Sequence, residues 1–191
     1  RFVDLVHFGD RLCLVTEFID GADLKHLWQQ TGFNARHAVE IAAHVAAALD
    51  AGIHLPGPSG SPLGLVHRDL KPPNIRVSRQ GQVKLLDFGI ARFDSNEREA
   101  STATGNILGS VGYMAPEQLI ASRCTSKADV FSLGTLLYEG CAHQRLMSRK
   151  ICMYLLRGNV DATSLHTYMK REFHGRLPVA ELEILLLEML R

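Results

Sequence analysis

One stretch of this chain limits its fold more than any other: His67-Arg68-Asp69-Leu70-Lys71-Pro72-Pro73-Asn74, followed by Leu86-Asp87-Phe88-Gly89. Between the two blocks, residues 75–78 (Ile-Arg-Val-Ser) and 82–86 (Gln-Val-Lys-Leu-Leu) read as two short strands. Arg79-Gln80-Gly81 reads as the turn joining them, with glycine available for a positive φ. In an antiparallel hairpin the start of the first strand lies beside the end of the second. Asn74 and Asp87 are therefore expected at the same open end. The proline-braced loop holds Asp69 a few residues before Asn74. A carboxylate base, a neutral oxygen ligand and an anionic oxygen ligand then converge, as metal-assisted phosphoryl transfer requires.

Further blocks follow in order: Gly109-Ser110-Val111-Gly112-Tyr113-Met114-Ala115-Pro116-Glu117 and Asp129-Val130-Phe131-Ser132-Leu133-Gly134. Together with the first two, they give the chain a resemblance to the eukaryotic-type Ser/Thr protein kinases. Phe131 stands where that family usually has Trp. The resemblance covers nearly the whole chain and weakens after about residue 142. The long turn-rich link His54-Leu55-Pro56-Gly57-Pro58-Ser59-Gly60-Ser61-Pro62-Leu63-Gly64 is similar to that of bacterial members.

The resemblance implies a mainly α fold, α+β overall: a kinase-like C-terminal lobe with a short β remnant of the N-lobe and a small catalytic-loop hairpin. Residues 1–18 are expected to be the remnant of N-lobe strands and hinge, and residues 19–191 the C-terminal lobe, cut before its last helix. The expected partners therefore include the missing N-lobe and flanking regions, with their Gly-rich loop, strand lysine and helix glutamate. The arginine that usually pairs with the position of Glu117 is also expected beyond this chain. Residues 1–191 alone are expected to bind ATP weakly and to show negligible activity.

Roles follow position by position from the same resemblance. Asp69 is expected to orient a substrate hydroxyl and take its proton. Lys71 is expected on the γ-phosphate, and its place two residues after Asp69 matches the Ser/Thr-directed branch. Asn74 and Asp87 are expected to hold Mg²⁺ (or Mn²⁺), with ATP as co-substrate. Asp129 is expected to hold the catalytic-loop backbone from the helix below. Arg68 is expected to meet a phosphate on the activation segment. His67 and Phe88 match an apolar spine, so packing is expected of His67. Gly89 completes the Asp-Phe-Gly block, and Ile90 after it leans the preference toward Thr. Ser110 matches the position whose hydroxyl touches the catalytic Asp and Lys. Ser101, Thr102 and Thr104 lie in a polar, aperiodic stretch, 94–106, and are the phosphosite candidates.

For ATP the expected contacts are Glu17, Ile19, Asp23 and Arg76. Arg11 to Ile19 alternates Leu12, Leu14, Thr16 and Phe18 on one face, as a strand does, and bends at Asp20-Gly21. In the family this bend binds adenine through main-chain groups. Thr16 falls on the gatekeeper position; read from the residues alone it is an ordinary β-branched strand residue. Arg76 stands where many kinases have an apolar floor under adenine. Its stem is expected to cover the base with the guanidinium reaching outward. Pro73 departs from the family's usual residue and should stiffen the loop.

Elsewhere Ala38, Ile41, Ala42, Val45, Ala46 and Leu49 recur at helical spacing, which reads as a buried helix and the lobe's central support. His37 and His44 on it are spaced as ordinary helix histidines. Arg145, Arg149, Lys150, Arg157, Lys170 and Arg171 read either as a solvated helical surface or as a basic face for acidic substrates. Cys13, Cys124, Cys141 and Cys152 lack CxxC spacing and read as thiols of a reducing compartment. A net charge of +1 gives no electrostatic case for nucleic acid. No apolar run has membrane-span length, so a cytoplasmic body is expected, with any anchor outside the chain. Two other readings remain: a pseudokinase acting as a binding or scaffold module, and a small-molecule phosphotransferase of the aminoglycoside kind. The latter lacks a Tyr-Met-Ala-Pro-Glu anchor, and this chain has one at 113–117.

Overall fold

The structure, a computed structural model, describes residues 2–88, 110–119, 124–148, 151–152, 162–173, 176–177 and 180–189. Strands β1 (Phe2–Phe8) and β2 (Arg11–Thr16) form an antiparallel hairpin. Its turn has Gly9 at φ 60°, a left-handed position suited to glycine. The alternation of β2 is real, but the expected face is open to solvent. Phe8 is 82% exposed, and Leu12 and Leu14 are more than half exposed.

After the bend come β3 (Gly21–Asp23) and the single turn α1 (Leu24–Leu27). The strand β3 is an addition to the sequence reading. It pairs antiparallel with β4 (Ile75–Ser78), which pairs antiparallel with β5 (Val83–Leu85). The expected hairpin is thus the larger part of a three-stranded sheet. Gly21 makes the third strand possible: a Cβ there would collide with the carbonyl of Val77 and lie 2.7 Å from Ser78 Cα.

The helix expected over 35–50 runs from Ala35 to His54 as α2. Asn34 caps it, accepting from the backbone N–H groups of Arg36 and His37, while His37 Nδ1 accepts from Asn34 N at 3.3 Å. His44 Nδ1 bonds the carbonyl of Glu40 at 2.8 Å. Both histidines thus serve their own helix. Ala38, Val45 and Leu49 are buried, but Ala46 is exposed. The central support is instead α4 (Ser126–Ala142), which follows the short α3 (Pro116–Leu119). From Phe131 to Cys141 every residue of α4 is buried. The difference lies in side-chain chemistry. α2 carries Arg36, Glu40, His44 and Asp50 on its open side, whereas α4 has no charged residue between Asp129 and Glu139. The two helices meet closely at Gly140, where a Cβ would lie 2.7 Å from the Cβ of Ala38.

Around α4 the core divides. One cluster joins it to α2 and the three-stranded sheet through Val45, Leu70, Ile75, Leu133 and Leu136. The other joins it to α5 (Ala162–Phe173) and α6 (Ala180–Met189) through Tyr138, Leu165, Met169, Leu182 and Leu186. The pairs Leu165/Met169 and Leu182/Leu186 recur at four-residue spacing, as one helix face does. All four cysteines are free thiols; Cys141 and Cys152 are buried, and burial raises the Cys141 thiol to about 11. Among the described residues, no helix is long and apolar enough to cross a membrane.

Candidate active site

The three-stranded sheet builds one wall of the site. In the turn between β4 and β5, Gly81 has φ 80° and its N–H donates to the carbonyl of Ser78 at 2.9 Å. Ile75 pairs with Leu85, and the Leu86 N–H donates to the carbonyl of Asn74 at 2.8 Å. Asn74 and Asp87 therefore flank the same end of the hairpin, as the spacing required. The Lys71-Pro72-Pro73-Asn74 segment closes a single 3-10 turn over Pro72–Asn74, with the Asn74 N–H on the carbonyl of Lys71 at 2.9 Å. Its prolines occupy the first two positions, where the missing N–H groups have no intrahelical partner to lose.

Asp69, Lys71 and Asn74 meet in one cluster. Lys71 Nζ lies 2.8 Å from Asp69 Oδ2. Asn74 is buried, and its Nδ2 donates to the Asp69 carbonyl at 2.8 Å and to Asp69 Oδ2 at 3.1 Å. With its nitrogen spent on Asp69, the amide keeps Oδ1 as an oxygen donor on its other side. Asp87 is exposed and takes φ 51°, an unusual left-handed backbone for a non-glycine residue.

Beneath this cluster the backbone of the loop before Asp69 is fixed from two sides. Asp129 is buried in the first turn of α4, and its two carboxylate oxygens accept from the N–H groups of His67 at 2.7 Å and Arg68 at 2.8 Å. Burial raises the Asp129 pKa, and the two backbone donors oppose that rise. The carbonyl of Arg68 accepts from Gln118 Nε2 at 2.8 Å, while Gln118 Oε1 accepts from the Ala115 N–H at 2.9 Å. This grip holds Arg68 at φ 65°. The sequence marks Gln118 only by its place next to Glu117. His67 does more than pack. Its ring lies 4.7 Å from that of Phe88, its Nδ1 accepts from the Asp69 N–H at 3.2 Å, and its Nε2 donates to the carbonyl of Leu86 at 2.8 Å. One buried ring thus ties the loop of Asp69 to the strand end before Asp87.

The expected ATP contacts take specific positions. Glu17 pairs with Lys84 at 3.2 Å. Asp23 caps α1, its Oδ1 accepting from the His26 N–H at 2.8 Å. Thr16 is exposed at the end of β2. The Arg76 guanidinium does not reach outward as expected. Its Nε donates to the carbonyl of Ile19 at 2.7 Å and its Nη2 to the carbonyl of Gly21 at 2.7 Å. The reason is β3, whose pairing with β4 brings the Gly21 carbonyl, and the Ile19 carbonyl just before the strand, within reach of Arg76.

The carbonyl of Ser110 accepts from the Tyr113 N–H at 3.0 Å. Glu117 begins α3. Tyr113 donates its phenol to Glu139 Oε2 at 2.7 Å, and the Arg145 guanidinium lies 5.8 Å from the centre of the Tyr113 ring. Arg145 therefore serves this buried pair, and Arg171 lies over Tyr168. Gly89, Ile90, Ser101, Thr102, Thr104, Arg149, Lys150 and Arg157 lie outside the described residues. Among the described residues, no three His, Cys, Asp or Glu side chains gather into a metal site. An amide and a carboxylate completed by phosphate oxygens would not form such a group.

The protein kinase domain matches residues 1–183 of this sequence. The chain belongs to the protein kinase family. Three similar proteins are bacterial. A tyrosine-protein kinase, MasK, of Myxococcus xanthus strain DK1622 is 37% identical over 90% of this chain and 26% of its own length. A probable serine/threonine-protein kinase, PknB, of Lactococcus lactis subsp. lactis is 38% identical over 71% of this chain and 20% of its own. The serine/threonine-protein kinase PknA of Mycobacterium tuberculosis strain H37Rv is 36% identical over 72% of this chain and 30% of its own. The kinase chain thus spans less than a third of each of these relatives.

Proposed function

We propose that this chain is the catalytic large lobe of a kinase that transfers the γ-phosphate of ATP to Ser or Thr of protein substrates. The observation that carries the reading is the cluster of Asp69, Lys71 and Asn74, in which Lys71 Nζ stands 2.8 Å from the Asp69 carboxylate. A base and a cation this close suit a hydroxyl nucleophile approaching a phosphate. Asp69 orients the substrate hydroxyl and receives its proton. Lys71 turns its ammonium toward the phosphate being transferred, as the Ser/Thr-directed branch does. Asn74 Oδ1 and the Asp87 carboxylate are hard oxygen donors that fit Mg²⁺ or Mn²⁺. That cation, when bound, neutralises phosphate charge. Asp129 and Gln118 hold the backbone that presents Asp69, and Arg68 remains the candidate partner of a phosphate on Ser101, Thr102 or Thr104.

Residues 1–18 are proposed as small-lobe strands and hinge, and residues 19–191 as the large lobe. The open apolar faces of β1 and β2, with Phe8 at 82% exposure, support a cover of further small-lobe strands. Without that cover, residues 1–191 should turn over negligibly. The catalytic body is proposed to work on the cytoplasmic side, where ATP is available. The intact Asp69, Lys71, Asn74 and Asp87 set weigh against a pseudokinase.

The test uses the full-length protein, radiolabelled ATP and a peptide library. Asp69→Asn should lower kcat by about 10²–10⁴-fold while Mg·ATP affinity holds. Asp87→Ala should lower kcat at least as far and weaken Mg·ATP binding. Labelling confined to tyrosine would replace the Ser/Thr assignment. An Asp69→Asn protein as active as its parent would remove the catalytic reading.

A further inference from the structure

Three basic side chains of the β4–β5 hairpin reach the same short segment, residues 17–21. Lys84 meets Glu17 at 3.2 Å, Arg79 meets Asp20 at 3.0 Å, and Arg76 meets the carbonyls of Ile19 and Gly21 at 2.7 Å each. They are not equivalent. The Arg79–Asp20 pair is largely exposed, and such pairs contribute little. Arg76 is half-buried, and its fork engages two main-chain oxygens that have no charge of their own. It is the member that changes what the segment offers a ligand.

The consequence follows from strand geometry. Residues 17–20 link β2 to β3 and belong to neither; where residues 17–19 run extended, the carbonyl of residue 17, the N–H of residue 19 and the carbonyl of residue 19 face one side. Adenine's edge complements the first two: its 6-amino group donates, and its N1 accepts. Its C2–H, which needs no acceptor, then lies against the third group, the Ile19 carbonyl. A purine with an amino group at C2 would need that oxygen. Here Arg76 Nε already takes one of that oxygen's two acceptor positions, and the guanidinium charge beside it opposes the approach of a second donor.

We propose that Arg76 sets nucleobase specificity by occupying the Ile19 carbonyl, so that the site takes adenine nucleotides and rejects 2-aminopurine nucleotides. The proposal rests on the ATP reading of this site. Arg76 is a positioning residue here: it acts through the main chain of residues 19 and 21. GTP is a poor probe, because its 6-oxo group also opposes the carbonyl of Glu17. The discriminating ligand is 2,6-diaminopurine riboside triphosphate, which keeps the 6-amino group and N1 of ATP and adds only the 2-amino group.

The experiment measures Kd for ATP and for that analogue, with Mg²⁺, in the full-length protein, by displacement of a fluorescent nucleotide. The parent should favour ATP by about tenfold or more, the weight of one hydrogen bond to a charged group. Arg76→Leu should bring the two Kd values within about threefold or reverse them, since the freed carbonyl can accept the 2-amino donor. Arg76→Lys, with a single ammonium in place of the fork, should fall between. Both absolute affinities should fall in the variants, because the same contacts steady the segment; the ratio is the readout. A ratio in Arg76→Leu equal to the parent's, or a parent that binds both ligands alike, overturns this inference and leaves the ATP reading standing. A parent that binds neither nucleotide removes that reading and this inference with it.

Discussion

Glu139 should make the fold more stable in mild acid than at neutral pH. Its carboxylate is buried between α4 and the Tyr113 segment. Burial raises its pKa from 4.5 to about 7, against the opposing pull of the Tyr113 hydroxyl, the Arg145 charge and the Leu146 N–H. Tyr113 is shifted upward too, by burial first and then by the Glu139 charge. Because the folded carboxyl holds its proton more tightly than the unfolded one, the native state carries the extra proton between about pH 4.5 and 7. This term lowers stability as pH rises through that window and is flat above it. A shift from 4.5 to about 7, at about 1.4 kcal/mol per unit, amounts to a cost of about 3 kcal/mol at pH 8. At pH 5.5 only the first unit of that cost has been incurred, so the gain over pH 8 is about 2 kcal/mol. For a domain of about 200 residues that is about 4–8 °C in Tm. Asp129, also raised, titrates in the same sense, so the parent alone does not isolate Glu139. The assay is calorimetry of parent and Glu139→Gln between pH 5.5 and 8. Gln keeps an acceptor for the Tyr113 hydroxyl and cannot ionise. The parent-minus-variant difference should therefore fall by about 2 kcal/mol across the range. A flat difference would refute the argument and place an ionised Glu139 in the fold at every pH tested.

Two further changes test the scaffold of the site. Gly21→Ala pushes a Cβ into the Val77 carbonyl and should part β3 from β4, with a loss of about 1–3 kcal/mol by chemical denaturation and weaker ATP binding. An unchanged midpoint would show that the third strand yields freely. Asp129→Asn keeps one acceptor and turns a donor toward a buried N–H of His67 or Arg68. One orphaned donor should cost about 1–3 kcal/mol, with a matching loss of kcat, read by denaturation and phosphate transfer. A variant that melts like its parent and turns over normally would remove Asp129 from its supporting role.

The reactive end of the fold was legible because its information is local. Gly81 sets the turn, the turn sets the β4–β5 register, and the register brings Asn74 and Asp87 to one end. Two prolines then fix the loop that delivers Asp69. Each step depends on residues a few positions apart. Support from Asp129 spans about sixty residues and was readable only through the family resemblance. The choice of central helix went astray for a different reason. Apolar spacing in α2 marks one buried face, whereas α4 is buried all round from Phe131 to Cys141 and so shows little periodicity there. A reading that ranks helices by periodicity favours the half-buried one.

The guanidinium of Arg76 shows why the rest of the site stayed hidden. Its direction depends on β3, and β3 on Gly21, whose missing side chain lets two backbones approach. Nothing in the run Ile19-Asp20-Gly21-Ala22-Asp23 alternates long enough to read as a strand. Without β3 no carbonyl stands opposite Arg76, and a long cation at a partly buried position is expected to reach for water. With β3 present, two carbonyls lie within 2.7 Å, and bonding them satisfies both the fork and the backbone without exposing either. The pairing of Asp23 with Arg76 at the end of that strand also sets the start of α1, which Asp23 caps. One glycine therefore fixes the sheet edge, the arginine's direction and the first helical turn together. It follows that Gly21→Ala should shift the ATP to 2-amino-ATP ratio in the same sense as Arg76→Leu. A Gly21→Ala protein with weakened binding but the parent's ratio would separate the strand from the arginine and break that chain of dependence.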